Sequence, residues 1–392
     1  MSLWFTIKDL VTPLIVPLCL TVFANTFTNG AFPALLPEIG RTGGLLDWQL
    51  GVVASAFGFA RMLADVPVGL FLTHRLRPAL VLGPCLLAGG VVIVTTGESF
   101  PLVVLGRLLM GVGHGLSMMG AITALLQFGT GVKLASALNA FELSGMLGLL
   151  GGTALVGLLP PSLGWATAFL VAGAPILLGV VTVPALLRAL PVATGTAPRP
   201  LFARHATAAG MHTPPTPAVL LAFAAGGSVG AAYSTVEQFM LPLRASRALG
   251  LERAGISRLL LTMQACDIAA LLPVGALADR VGVPRVLGVI LLVMAGACVL
   301  IAFGGLPVVV AGSALFGLSM AGWMLPLGVL KRETAPERIA WRTGLYRVCV
   351  DGGIFVGPLL GGLLGARLAP NLGAVWAGAL ALSGALFLWR RR

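Results

Sequence analysis

The sequence predicts an all-α polytopic membrane protein of twelve transmembrane helices arranged as two six-helix halves. Three observations carry that prediction. Only 10% of the 392 residues are charged and 58% are hydrophobic, with a mean hydropathy of +1.00. Twelve apolar stretches are each long enough to cross about 30 Å of hydrocarbon at 1.5 Å per residue. One polar, proline-bearing linker separates six of them from the other six. A soluble chain of this size carries about a quarter charged residues, and a single aqueous core could not hide this much apolar surface. Long uninterrupted runs exclude a β-barrel, whose strands are short and alternating. The 53 glycines and 26 prolines suit helices packed closely in lipid.

The expected spans are 11–36, 49–73, 79–96, 100–122, 134–157, 164–187, 216–242, 254–277, 284–303, 307–329, 342–365 and 370–389. The turns at Gly97–Pro101 and Gly304–Pro307 are short, but a fused pair would be too long for one crossing. The halves are 1–187 and 216–392, joined by the linker 188–215 with its prolines and three arginines. An even number of spans places both termini on one side. Sixteen Lys and Arg residues lie on that side against six on the other, so both termini are expected in the cytoplasm. The formal charge of +12 is thus a topological signature and not a nucleic-acid footprint. No cleavable leader is expected, because the first apolar run carries Asn25, Thr26 and Asn29 and no small-residue cleavage pattern. Cys19, Cys85, Cys266, Cys298 and Cys349 fall within apolar segments without metal spacing, and no cofactor is implied. A duplication supports the two halves: Gly69, Gly106, Gly111 and Gly151 recur 206 residues later as Gly275, Gly312, Gly317 and Gly357.

Eight ionisable residues lie inside expected spans: Arg61, Asp65, Arg107, Glu142, Glu237, Asp267, Arg347 and Asp351. Such groups are costly in hydrocarbon and normally face protein or water with a functional purpose. Arg61 and Asp65, and again Arg347 and Asp351, stand four apart, where a helix brings side chains onto one face. Each reads as a local ion pair or as a pair that substrate or a proton opens. Asp267 lies near the middle of the eighth span with Gln264 one turn before it, and leads the candidates for carrying a proton. Glu237, on one face with Tyr233, comes next as an entry gate or cation contact, followed by Glu142. Asn25, Thr28 and Asn29 form a polar face on the first span that reads equally as cavity lining or as helix–helix hydrogen bonding. Trp323, in the tenth span, is a candidate for stacking on a substrate.

The loop Gly275-Ala-Leu-Ala-Asp279-Arg280-Val-Gly282-Val-Pro-Arg285 resembles the signature that the major facilitator superfamily carries between the second and third helices of a half. The first-half counterpart, Gly69-Leu-Phe-Leu-Thr73-His74-Arg75-Leu76-Arg77, keeps the glycine and the basic residues but has Thr73 at the acid and Leu76 at the turn glycine. Gly106-Arg107-Leu-Leu-Met-Gly111-Val-Gly113 resembles the family's fourth-helix pattern, and Gly353-Ile-Phe-Val-Gly357-Pro358-Leu-Leu-Gly361-Gly362 resembles its antiporter pattern, here in the eleventh helix. The fifth helix, where that pattern separates exporters, has glycines and no proline. The resemblance implies the major facilitator fold and an inter-helix latch at the signature loops. It also implies a link between Arg107 and proton movement, and a partnership of Arg107 with Glu142. Bacterial twelve-helix exporters are the nearest members, which implies a monomer in the bacterial inner membrane.

No Gly-x-x-x-x-Gly-Lys-[Ser/Thr] loop occurs, so an ion gradient is the expected energy source. Five buried acids against three buried arginines favour protons and a cationic or neutral amphipathic substrate. Proton-coupled export by alternating access is the leading reading. Proton-coupled uptake of a small organic solute, such as a carboxylate, is its rival, and a non-transporting sensor or scaffold is the alternative of another class. An enzyme is not expected, since His74, His114, His205 and His212 are scattered and no nucleophile–base pair accompanies them.

Overall fold

The computed structural model describes residues 12–97, 99–128, 134–190, 214–365 and 367–390, with the backbone alone for 65–74, 134–136, 336–337 and 340. The regular elements among the described residues are all helical. Eleven of them are long and apolar enough to cross a membrane. Residues 47–74 complete the twelve. In chain order the spans are α1 Ile15–Thr42, α2 at 47–74, α3 Arg75–Thr96, α4 Phe100–Phe128, α5 Leu134–Leu158 and α6 Pro161–Ala189. They continue as α7 Pro217–Arg247, α8 Arg253–Val281, α9 Val283–Phe303, α10 Leu306–Glu333, α11 Pro336–Leu364 and α12 Ala369–Trp389. Most of the expected linker, residues 191–213, lies outside the described residues.

Several helices run past the expected spans, α4 ending six residues later and α11 starting six residues earlier, and two differences bear on the site. α1 continues through Pro33 and Pro37 to Thr42, six residues beyond its expected end, and carries Glu38 on its extension. Between α2 and α3 the connection is a single non-helical residue, Arg75 (φ −135°, ψ 39°). The physical reason is local. In the second half Gly282, at φ 99°, ends α8 and starts α9 ahead of Pro284. Leu76 at the matching place lacks that freedom, and in the first half the helical geometry breaks at Arg75 instead.

By packing, the chain forms two compact units: Met1–Phe32 with Leu63–Arg199, and Pro33–Met62 with Pro200–Arg392. Within the first, α1 lies on α5 through small residues. A methyl group added at Gly148 would sit 2.1 Å from the Phe23 carbonyl oxygen, and one at Gly152 would sit 1.9 Å from that of Phe27. Thr26 donates to the Gly145 carbonyl (2.8 Å) and Thr153 to that of Gly30 (2.9 Å). These are the contacts that hold helices together where apolar burial alone gives no preference over lipid. In the second unit α7 lies on α11 in the same manner. Carbons added at Gly353 and Gly357 would meet the Gly227 and Ala231 carbonyl oxygens at 2.3 and 2.6 Å.

Candidate functional site

The second unit concentrates buried charge. α7 is not a uniform helix: Pro217–Tyr233 gives way to a π-helical turn, Ser234–Met240, before Leu241–Arg247. Ser234 donates to the carbonyl of Gly230 (2.9 Å), and the indole N–H of Trp376 on α12 reaches Thr235 Oγ1 (2.9 Å). The wider turn places residues five apart in register, and Gln238 Nε2 donates to the Tyr233 hydroxyl at 3.4 Å. Glu237, 3% exposed, accepts from Gln264 Nε2 of α8 at 3.1 Å. Asp267 follows Gln264 by one turn and is half-buried.

The partnerships of the arginines differ from those expected on one helix. Arg61 of α2 pairs with Asp351 of α11 (Nη2–Oδ1 2.9 Å), with Asp351 2% exposed. Its guanidinium also lies 5.9 Å from the centre of the Phe57 ring. The expected Arg347–Asp351 pair is therefore not formed, and Arg347 Nε is buried without a hydrogen-bond partner. The cross-helix pair is reachable because α2 and α11 touch along their backbones. A carbon added at Gly51 would lie 2.7 Å from the Gly362 Cα, and one at Gly58 would lie 3.0 Å from the Ile354 carbonyl carbon. Phe59 and Phe355 meet at 4.9 Å between ring centres. The Asp65 side chain lies outside the described residues.

In the first unit Arg107 is 2% exposed and stacks 3.7 Å above the Phe32 ring, where a desolvated cation gains most from the ring quadrupole. Asn29 and His114 approach at 3.4 Å, linking α1 to α4. Asn25 is fully buried beside Gly179 of α6, with both amide atoms lacking a hydrogen bond, and Thr28 Oγ1 likewise. Glu142 is half-buried on α5. Trp323 sits in the turn that interrupts α10, and its carbonyl accepts from Tyr346 of α11 at 3.3 Å.

At the second-half signature loop Asp279, Arg280 and Arg285 are exposed. Among the described residues Asp279 forms no ion pair. A carbon added at Gly275 meets nothing within 4 Å, so no close helix approach requires a glycine there. In the first half Arg77 donates to the Leu190 carbonyl (2.8 Å), satisfying the C-terminal end of α6. Gly69 and Thr73 lie in the stretch described by backbone alone.

Sequence reasoning missed two ion pairs at the end of the spans expected to face away from the cytoplasm. Arg253, 2% exposed, forks onto Glu38 through Nε–Oε1 (2.8 Å) and Nη2–Oε2 (2.5 Å), and Arg247 pairs with Asp47 at 2.7 Å. Arg244 closes the C-terminal end of α9, donating to the Ile301 and Gly304 carbonyls at 2.8 and 2.6 Å. The available signal was the scarcity of acids outside the spans: Glu38 and Asp47 flank one short loop, and three arginines crowd the α7–α8 loop.

Twelve helices, duplicated glycine seams and buried charge at membrane depth define a polytopic transporter fold. The sequence matches the model of the Major Facilitator Superfamily over residues 18–263 and 219–392, and the chain belongs to that family. Among solved structures it is similar to the nucleoside transporter NupG, at 13% identity over 95% of this chain and 98% of that one, with a TM-score of 0.76. It is also similar to a peptide transporter, POT, bound to sulfate (13% identity, 95% and 93% covered, TM-score 0.77). A third is a bacterial homologue of the human lysosomal transporter Spinster (14%, 99% and 94%, TM-score 0.72). Among curated protein sequences none matches. At these identities the likeness is one of fold.

Proposed function

We propose that the chain is a secondary active transporter of the bacterial inner membrane, a monomer with cytoplasmic termini, that exports small hydrophobic or cationic compounds in exchange for protons. Its moving parts are the two bundles, 1–187 and 216–392. The observation that carries this reading is the acidic cluster on α7, α8 and α11: Glu237 held by Gln264, Asp267 one turn on, and Asp351 paired with Arg61. Carboxyl groups at hydrocarbon depth are expensive and are kept where an ion or a cationic cargo uses them. Asp267 is assigned the proton, with Glu237, Asp351, Glu142 and Arg107 as further participants. Tyr233, Gln264, Arg61, Asp65, Arg347 and Trp323, with Asn25, Thr28 and Asn29 from α1, are assigned to the cavity. Arg75, Arg77, Asp279, Arg280 and Arg285 are assigned to the cytoplasmic latch, with Gly69, Gly275 and Gly282 shaping its loops.

The test is transport of a panel of lipophilic amines by purified protein in vesicles under an imposed pH gradient. Acid on the release side is expected to speed export of a transported compound, and Asp267→Asn to remove that dependence. Faster movement when acid lies on the same side as the compound would favour uptake by symport instead. That second reading draws on the proline-free fifth helix and on the likeness to nucleoside and peptide transporters.

A further inference from the structure

Gln264 is 4% exposed, and the two atoms of its carboxamide have different fates. Nε2 donates to Glu237, whereas Oε1 is buried and accepts no hydrogen bond. A buried acceptor left unmade beside a carboxylate is costly, and it marks a place where a donor belongs. Gln264 gives Glu237 a neutral donor, and Arg61 of α2 is paired with Asp351. Tyr233, bonded to Gln238 across the π-helical turn and one turn before Glu237, adds a hydroxyl oxygen, and Asp267 stands one turn beyond Gln264 on α8. On α11 Asp351 is paired with Arg61, and Arg347 stands one turn before it.

We propose that Glu237, Gln264 and Tyr233, with Asp267 beside them, form the binding site for a protonated amine carried by the transported compound. This rests on the transporter reading above and narrows its substrate class. An ammonium group has three N–H donors and no acceptor. The carboxylate, the free carboxamide oxygen and the phenol oxygen supply three matching acceptors. A quaternary ammonium has no N–H to give and is recognised by several aromatic faces, whereas this set holds one, Tyr233. Hard metal cations take six or more oxygens, more than these side chains offer. An anion would meet the carboxyl groups first.

The test uses binding to purified protein in lipid nanodiscs, without any gradient. The probes are 2-phenylethylammonium, its N,N,N-trimethyl analogue and neutral 2-phenylethanol. The primary ammonium is expected to bind at least about tenfold more tightly than the other two, the scale of one charge-assisted hydrogen bond. Gln264→Leu should abolish the preference over the trimethyl analogue, and Glu237→Gln the preference over the alcohol. Gln264→Met, which keeps the length without the acceptor, repeats the test if the leucine variant unfolds. Equal binding of all three probes, no binding of the primary ammonium, displacement of it by sodium alone, or a preference untouched in both Gln264 variants would each overturn the site. Binding as expected, with no response of transport to a pH gradient, would instead remove proton exchange and leave the amine site standing.

Discussion

Arg61 and Asp351 show how far residue-level reading reaches. The sequence places both inside spans, and the structure keeps both there, with Asp351 2% exposed. Asp351's partner on α2 was not readable, because four-residue spacing is visible in a sequence, whereas the helix that will lie opposite is not. A pair four apart on one helix contributes only about 0.2–0.5 kcal/mol, so tertiary packing easily overrides it. Asp351→Asn is expected to leave Arg61 uncompensated and to cost about 3–5 kcal/mol, read as a lowered unfolding midpoint in detergent. Arg61→Met with Asp351→Leu should recover most of that stability while transport stays impaired. If the double variant is no more stable than the single one, the pair is not the interaction that matters there. At the signature loop, charge reversal at Asp279 is expected to slow transport more than Thr73→Ala does, with stability unchanged because Asp279 is exposed. Equal slowing by the two would argue against a latch centred on Asp279.

Among the elements, the spans themselves were legible because hydrocarbon thickness fixes their length. What the sequence could not show was how each glycine is used. Gly152 and Gly275 look alike in a helix-rich sequence, yet an added carbon at the first meets a carbonyl oxygen at 1.9 Å and at the second meets nothing. Gly152→Ala is therefore expected to cost about 1–3 kcal/mol through overpacking of α1 on α5. Gly275→Ala should be neutral or slightly stabilising in its helix. Unfolding midpoints of the two variants check the contrast, and a reversed order would contradict the α1–α5 seam. The π-helical turn of α7 left no sequence signal at all: it is set by Ser234, Thr235 and Trp376 bonding across three helices.

Across the whole molecule, the duplication is readable from four glycine matches at one offset, and the signature loop from Gly275 to Arg285 points to the family that the sequence match shows. The grouping of residues 33–62 with the second unit was not readable. It accompanies the close approach of α2 to α11 at Gly51 and Gly58, and Glu38, beyond the expected end of α1, meets Arg253 in the same unit. Glu38→Arg or Arg253→Glu alone should destabilise by about 3–5 kcal/mol, since each buries like charges or leaves one unpaired. The two together should restore both stability and transport. Failure of the exchange to restore either would show that this ion pair does not hold α1 to α8.

The central claim is that movement of a compound through this protein is tied to movement of protons in the opposite direction. It is tested most directly by lumenal pH in proteoliposomes of known protein orientation, preloaded with a transported amine, alongside Asp267→Asn. The account predicts that the compound leaving by its native outward route brings protons in, and that the Asp267→Asn protein gives no such signal. Protons moving in the same direction as the compound, or no proton signal from a compound that is demonstrably transported, would contradict it.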